Sequence, residues 1–273
     1  MRASAMRMSD KPNLSAARYA AWVLSKELNI TRPEQIVLED IAMARGVYVL
    51  EAELHGAEAR LLRKGKRGII RLKADLPELG RKRFAIAHEL GHWELHKNQT
   101  PLSFCTADDI NDFGKVSAEI EANAFAGSLL MPTQLISPQC WEATPDLDLV
   151  CRLAGEFGTT ISATAVRFVE ECRQTCVVVF SQNQKVRWWR AREGEHVWIE
   201  AGLSIDQRSS AWAPSGHSEM ERVDTDAWFP DWKDRGAQDV NEQSIVLGHY
   251  GTVLTLLWLV DAVDETEEEE HSR

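Results

Sequence analysis

The residues best suited to chemistry stand together at His88-Glu89-Leu90-Gly91-His92. On a helix, positions four apart share a face, so His88 and His92 can offer two imidazole nitrogens to one metal ion. Glu89 lies one step round, where its carboxylate can reach a water on that ion without ligating it. This is the H-E-x-x-H arrangement of zinc hydrolases. The surrounding run RKRFAIAHELGHWELH predicts a helix, because Phe84, Ala87, His88, Gly91, His92 and Leu95 follow an i, i+3, i+4, i+7 stripe. The histidines fall inside that packing face. A buried neutral imidazole needs a partner, and a metal supplies one.

A third ligand follows downstream. SAEIEANAFAGSLLMP reads as a second helix ended by Pro132, with Glu119, Ala122, Asn123, Ala126, Gly127 and Leu130 along one stripe. These small residues, like Ala87 and Gly91 on the first helix, allow two backbones to approach closely. Glu119 then completes a His, His, Glu set with an open fourth position for water. Asn123 is four residues on, placed to hold the free nitrogen of a ligating histidine. Glu121 is the rival ligand; it points about 160° away from Glu119 at ~100° per residue, which favours Glu119. The donor set suits Zn2+ best and also admits Mn2+ or Fe2+. Zinc in such a site lowers the pKa of water from ~15.7 towards ~7. Glu89 is then the proton carrier, from water to the leaving nitrogen of a peptide. Stabilising the oxyanion calls for a further group, for which His96, Arg167 and Tyr250 are the candidates.

Two strings carry a family resemblance: AHELGHWELH at residues 87–96 and EIEANAFAGSLLMP at residues 119–132. Together they resemble the ImmA/IrrE metallopeptidases. The resemblance covers the metal core well and the chain up to the helix pair after it loosely; the rest has no matching string. It implies metal ligation by His88, His92 and Glu119 with Glu89 catalytic, in agreement with the reading from spacing. It also implies a substrate class: helix-turn-helix repressors of the XRE type, cut so that stress-response or mobile-element genes are released.

These residues sit in a chain of 273 residues, 44% hydrophobic and 27% charged. That is the composition of a globular protein with ample core. No run of eighteen apolar residues marks a membrane span, and the opening segment lacks a signal peptide's apolar centre. Cys105, Cys140, Cys151, Cys172 and Cys176 follow no disulfide pattern. A cytoplasmic location is expected. Cys172 and Cys176, one helical turn apart, read as packing thiols in preference to metal ligands.

The net charge of −11 argues against a general nucleic-acid binder. Acidic residues concentrate in the tail, at Asp264, Glu265 and Glu267 to Glu270. Cations concentrate between Arg60 and Arg83, where ten Lys or Arg face only Asp75 and Glu78. That stretch is either a solvated hairpin or a patch for an acidic partner surface or DNA near the site.

The positioning elements follow in order. Residues 14–27 predict a helix capped by Asn13 or Ser15, and Pro33 opens a second one through Ala44. VYVLEAEL is a strand, ARLLRKGKRGIIRLK a hairpin about Gly65 to Gly68, and Pro77 starts the metal helix. The polar linker 97–115 has the length of a rim or lid. DLDLVCRLAGEFGTTISATAVRFVEEC predicts two helices about Gly158. They resemble a helix-turn-helix, but Glu170 and Glu171 offset Arg167 and Arg173, so support or partner docking is expected over DNA binding. From Cys176 onward CVVVFSQ, KVRWWRA, HVWIEAG and TVLTLLWLV are strand-like, and seven of the ten tryptophans lie there.

The expected fold is α+β: a helical zinc-peptidase core with a small antiparallel sheet and the H-E-x-x-H helix, then the helix-turn-helix-like pair and a β-rich C-terminal region. The expected boundaries are a flexible N-terminus at 1–13, a metallopeptidase domain at 14–174, a β-rich region at 175–263 and an acidic disordered tail at 264–273. The expected function is site-specific zinc endopeptidase. The expected partner is a helix-turn-helix repressor, with no direct DNA contact, no membrane and an oligomeric state that the sequence leaves open. Two other classes fit the same residues: a metal-dependent module that docks a repressor without cutting it, and a sensor or toxin–antitoxin component acting through the C-terminal region.

Overall fold

The computed structural model describes residues 12–97, 117–142, 144–230, 239–248 and 251–260. Expectations for the first eleven residues, for most of the linker at 97–115, for Tyr250 and for the acidic tail lie outside these residues.

Seven α-helices and two sheets make up the described residues, a mixed α+β fold. They form two compact units, Met1–Pro138 with Arg152–Arg167, and Gln139–Cys151 with Phe168–Arg273. In the first unit, α1 (Leu14–Glu27) starts at Asn13, whose side chain accepts the Ala16 N–H at 3.0 Å, as capping chemistry expects. The helix expected from Pro33 through Ala44 is broken. Pro33–Gln35 is a 3-10 turn and α2 spans Leu38–Ala44. The Gln35 amide oxygen takes the Thr31 and Arg32 N–H groups at 2.8 and 2.9 Å, which closes the turn locally before α2 begins.

The first sheet has strands β1 (Val47–Ala52), β2 (Ala59–Lys64) and β3 (Arg67–Lys73) in the order β1-β3-β2. The hairpin β2–β3 is antiparallel about Gly65, whose φ of 59° is cheap only for glycine. The small sheet is nevertheless mixed, because β1 pairs with β3 in parallel. The tight hairpin folds β3 back into the central place, and the link at 53–58 lets β2 skip one strand position. Burial alternates along β3, with Gly68, Ile70 and Leu72 inward, and Ile70 and Leu72 join Phe84, Leu90, Phe125 and Leu129 in the core.

Next comes α3 (Leu79–Leu95), entered through the extended residue Glu78 two positions later than Pro77. It is followed by α4 (Ser117–Leu130), α5 (Thr133–Glu142), α6 (Leu147–Phe157) and α7 (Ile161–Glu171). Gly158, at φ 61°, turns the chain between α6 and α7. A Cβ on Gly80, at the start of α3, would meet the Thr159 carbonyl carbon and the Thr160 nitrogen of that turn, each at 2.7 Å. The turn is thus committed to holding the metal helix.

In the second unit β4 (Thr175–Gln182), β5 (Lys185–Ala191), β6 (Glu221–Val223), β7 (Asp239–Val246) and β8 (Thr252–Val260) form an antiparallel sheet in the order β5-β4-β8-β7-β6. HVWIEAG is not a strand: Val197 and Ile199 are buried in the unit's core, but the segment joins no ladder. Conversely β7 escapes a hydrophobicity reading, since Glu242, Gln243 and Ser244 are buried on it. Each has a partner. The Glu242 carboxylate accepts the Trp228 Nε1–H at 2.6 Å and the Ser210 N–H, Gln243 accepts the Leu147 N–H at 2.7 Å, and Ser244 meets Thr255 at 2.9 Å. Buried polar groups on a strand are tolerated when satisfied in this way, and they hide the strand from any apolar pattern.

Candidate metal centre

Two helices build the site. Residues Phe84 to Trp93 of α3 are all buried, so α3 runs through the core rather than along its edge. Its approach to α4 is close because Gly91 lacks a side chain. A Cβ there would lie 3.0 Å from Ala122 Cα and 3.1 Å from Ala122 O. The small-residue faces expected from the sequence therefore meet, and the meeting brings Glu119 opposite the two histidines.

The donor atoms converge. His88 Nε2 and His92 Nε2 are 3.1 Å apart, and Glu119 reaches them with Oε2 at 3.1 Å from His88 and Oε1 at 3.3 Å from His92. Two nitrogens bound to one tetrahedral ion lie about 3.4 Å apart, given metal–nitrogen bonds near 2.0–2.1 Å. The spacing here is close to that. Among the described residues this is the one group of three metal-ligating side chains. Cys172 and Cys176 are buried with their sulfurs 3.9 Å apart, and they bring no third donor.

The outer nitrogens set the tautomers. Asn123 Oδ1 lies 2.8 Å from His88 Nδ1, so a neutral His88 donates through Nδ1 and turns its Nε2 lone pair inward. His92 Nδ1 lies 3.0 Å from His96 Nδ1, and His96 Nε2 lies 2.9 Å from Glu121 Oε2. Glu121 thus accepts from His96 Nε2–H, and the bare His96 Nδ1 accepts from His92 Nδ1–H. His92 Nε2 is left with its lone pair inward as well. Two imidazole lone pairs and a carboxylate then face one point, which is a site for a cation and repulsive without one. The residues present fit a divalent metal.

The two histidines shift in opposite directions. Burial would raise the Glu119 carboxyl, but the His88 and His92 imidazoles beside it, to whatever extent they carry charge, hold it well below the usual carboxylate range. Burial lowers His92. Burial also disfavours a charged His88, yet Glu119, Glu89 and Asn123 outweigh it and the net direction is up. Glu89 is fully buried one residue from His88.

Each expected site residue among the described residues now has a place. His88, His92, Glu119 and Asn123 stand together. Glu121, the rival ligand, is instead the anchor of the His92–His96 chain, and its Oε1 also takes the Asn13 N–H at 2.7 Å. His96, an oxyanion candidate, supports His92. Arg167 is buried and donates to Met131 O and Thr133 Oγ1, each at 3.2 Å, closing the end of α4. One supporting residue was missed. Arg63 of β2 stacks on Trp93 at 4.0 Å and donates to the His92 and Trp93 carbonyls at 3.3 and 2.6 Å. Only its place in a basic run next to an inward-facing strand position hinted at this.

An H-E-x-x-H helix packed on a second helix that supplies a glutamate defines a class of metal-site proteins. Residues 42–169, a little under half the chain, match the IrrE N-terminal-like domain of the Peptidase_M78 family. Over that segment the chain is similar to the ImmA/IrrE family. A solved structure, a Mycobacterium tuberculosis transcriptional regulator, is similar over 89% of this chain and 87% of its own, with a TM-score of 0.59 and 16% identity. At that identity the likeness is one of fold. Comparison with curated proteins found no match. No helix among the described residues is long and apolar enough to cross a membrane.

Proposed function

We propose that the protein is a zinc-dependent, site-specific endopeptidase of the cytoplasm, acting on a helix-turn-helix repressor of the XRE type. The observation that carries this reading is the convergence of His88 Nε2, His92 Nε2 and Glu119 within 3.1–3.3 Å of one another. His88, His92 and Glu119 would hold the metal, which when bound acidifies water and polarises a peptide carbonyl. Glu89 takes the proton from the attacking water and delivers it to the leaving nitrogen. Asn123, and Glu121 through His96, keep both imidazoles in the tautomer that turns the Nε2 lone pair inward. The turn between α6 and α7 is spent on Gly80, which supports a bracing role for that helix pair over DNA reading. The match of residues 42–169 to a peptidase family's domain supports hydrolysis, and the presence of Glu89 favours it over metal binding alone.

The experiment is co-expression with the helix-turn-helix repressor encoded nearest the gene, read by intact-mass spectrometry, wild type against Glu89→Gln. A defined cut with wild type alone is expected. A repressor cut equally by Glu89→Gln removes the mechanism.

A second reading has one observation of its own: the fold is shared with a protein described as a transcriptional regulator. On this reading the metal-bearing fold docks a repressor and relieves repression without cutting. Derepression by Glu89→Gln with the repressor intact would select it.

A further inference from the structure

The outer face of the first sheet is unlike a solvated surface. Outward positions read in rows across the strands. Tyr48, Ile69 and Leu62 are directly opposite one another in register, and Leu50 continues the apolar set on β1. They are 53%, 37%, 38% and 52% exposed. On either side of this apolar bar lies a cationic pair in direct cross-strand register: Arg60 opposite Arg71, and Lys64 opposite Arg67. Lys73, 3.4 Å from Asp75, extends the basic rim, and the one carboxylate on the three strands, the exposed Glu51, lies 3.4 Å from Lys82 of α3. Like charges directly opposite one another on a sheet destabilise it, and a contiguous exposed apolar patch costs solubility. Two such pairs beside such a patch are suited to a partner that is both apolar and anionic.

We infer that this face is a docking surface for an acidic, amphipathic segment of a protein substrate, its apolar side on Tyr48, Ile69 and Leu62 and its carboxylates on Arg60, Lys64, Arg67 and Arg71. The bar is aliphatic with a single aromatic ring. It therefore offers no stacking platform for bases, and a chain of net charge −11 repels nucleic acid at long range. The face also bears on the metal centre. β2 turns Leu62 outward and, at the next position, turns Arg63 inward to hold the His92 and Trp93 carbonyls. A segment seated on β2 and β3 is thereby fixed relative to α3, which raises the local concentration of the adjoining chain at the site. The identity of the occupant as substrate rests on the peptidase reading; the binding chemistry does not.

The test uses full-length Glu89→Gln protein and three fluorescein-labelled probes: a peptide alternating leucine and glutamate, its leucine–lysine counterpart, and a mixed-sequence single-stranded oligonucleotide. Anisotropy should show binding of the acidic peptide, weakened by added salt, and no binding of the lysine peptide. The double variant Arg67→Glu/Arg71→Glu should weaken that binding about tenfold or more. It should still fold, since the new carboxylates pair with Lys64 and Arg60 across the sheet; circular dichroism checks this. Ile69→Ser should weaken binding without altering its salt dependence. Equal binding by the double variant overturns the inference. So does an oligonucleotide that needs Arg67 and Arg71, or peptide binding that appears only after removal of residues 264–273, which would give the face to the chain's own tail. A dimer that Ile69→Ser dissolves would give it to a second copy. If the peptide binds as stated while no repressor is cut, the face stands and the peptidase reading falls. If Arg67→Glu/Arg71→Glu on the wild-type background cuts the repressor as well as wild type does, the face falls and the peptidase reading stands.

Discussion

Two carboxylates of this protein sit among packed elements, Glu242 fully buried and Glu119 partly so, and they do so to opposite ends. On β7, Glu242 is 1% exposed, and its oxygens are met by N–H donors from Trp228 and Ser210. That arrangement is closed, because a buried anion is answered by donors the chain itself provides. At the α3–α4 pair, Glu119 is met instead by two imidazole nitrogens whose outer hydrogens are already committed to Asn123 and, through His96, to Glu121. Acceptors face acceptors, and the arrangement is completed only by a cation. Buried charge is therefore not by itself a mark of function in this molecule. What separates the structural carboxylate from the ligating one is the sign of its neighbours and the direction in which the surrounding hydrogen bonds point.

The comparison can be broken most decisively at Glu89. Replacing it by Gln should lower cleavage of the repressor by about 10²–10⁴-fold while the metal content, measured by inductively coupled plasma mass spectrometry, stays at that of wild type. Loss of metal together with activity would move Glu89 from proton carrier to ligand support. One shell further out, Asn123→Ala and Glu121→Ala should each weaken metal binding by about 10–100-fold in competition against a chromophoric chelator. Unchanged affinity in Glu121→Ala would dissolve the relay through His96. The same assay should find no change in Glu242→Ala, whose effect falls on stability instead. That variant leaves the Trp228 and Ser210 donors unmatched at about 1–3 kcal/mol each, seen as a lower denaturation midpoint by tryptophan fluorescence. Smallest is Gly91→Ala, where the added methyl must push α4 away at about 1–3 kcal/mol. Its effect on metal affinity should exceed that of a distant substitution with an equal loss of stability, because the spreading of α3 from α4 withdraws Glu119 from the histidines.

Much of the metal centre was legible in the residues themselves. Periodicity placed His88 and His92 on one helix face, and the small residues Gly91 and Ala122 announced a close helix pair. Angular arithmetic chose Glu119 over Glu121 as the residue opposite the histidines, and the site has that geometry. The same arithmetic had no means of finding the role of Glu121. A residue turned away from the ligands on its own helix still returns to the site through His96, one turn beyond His92, and only packing shows it. Sheet topology was less legible. The hairpin at Gly65 follows from local turn chemistry. The parallel pairing of β1 with β3 is a choice among equally good registers, made by what β1 and β3 bury beneath them. β7 was invisible because its buried positions are Glu242, Gln243 and Ser244.

By itself, then, the sequence determined the chemical kind of the site and the elements that carry it. Helix periodicity and glycine sterics act over a few residues and are written locally. The tertiary structure alone decided which lone pairs face inward, that Arg63 holds the end of the metal helix, and that the basic rows of the hairpin flank an apolar bar on an open face. These depend on groups far apart in the chain being brought within hydrogen-bond distance. Such distances are set by the packing of whole elements and not by the propensities of any one segment.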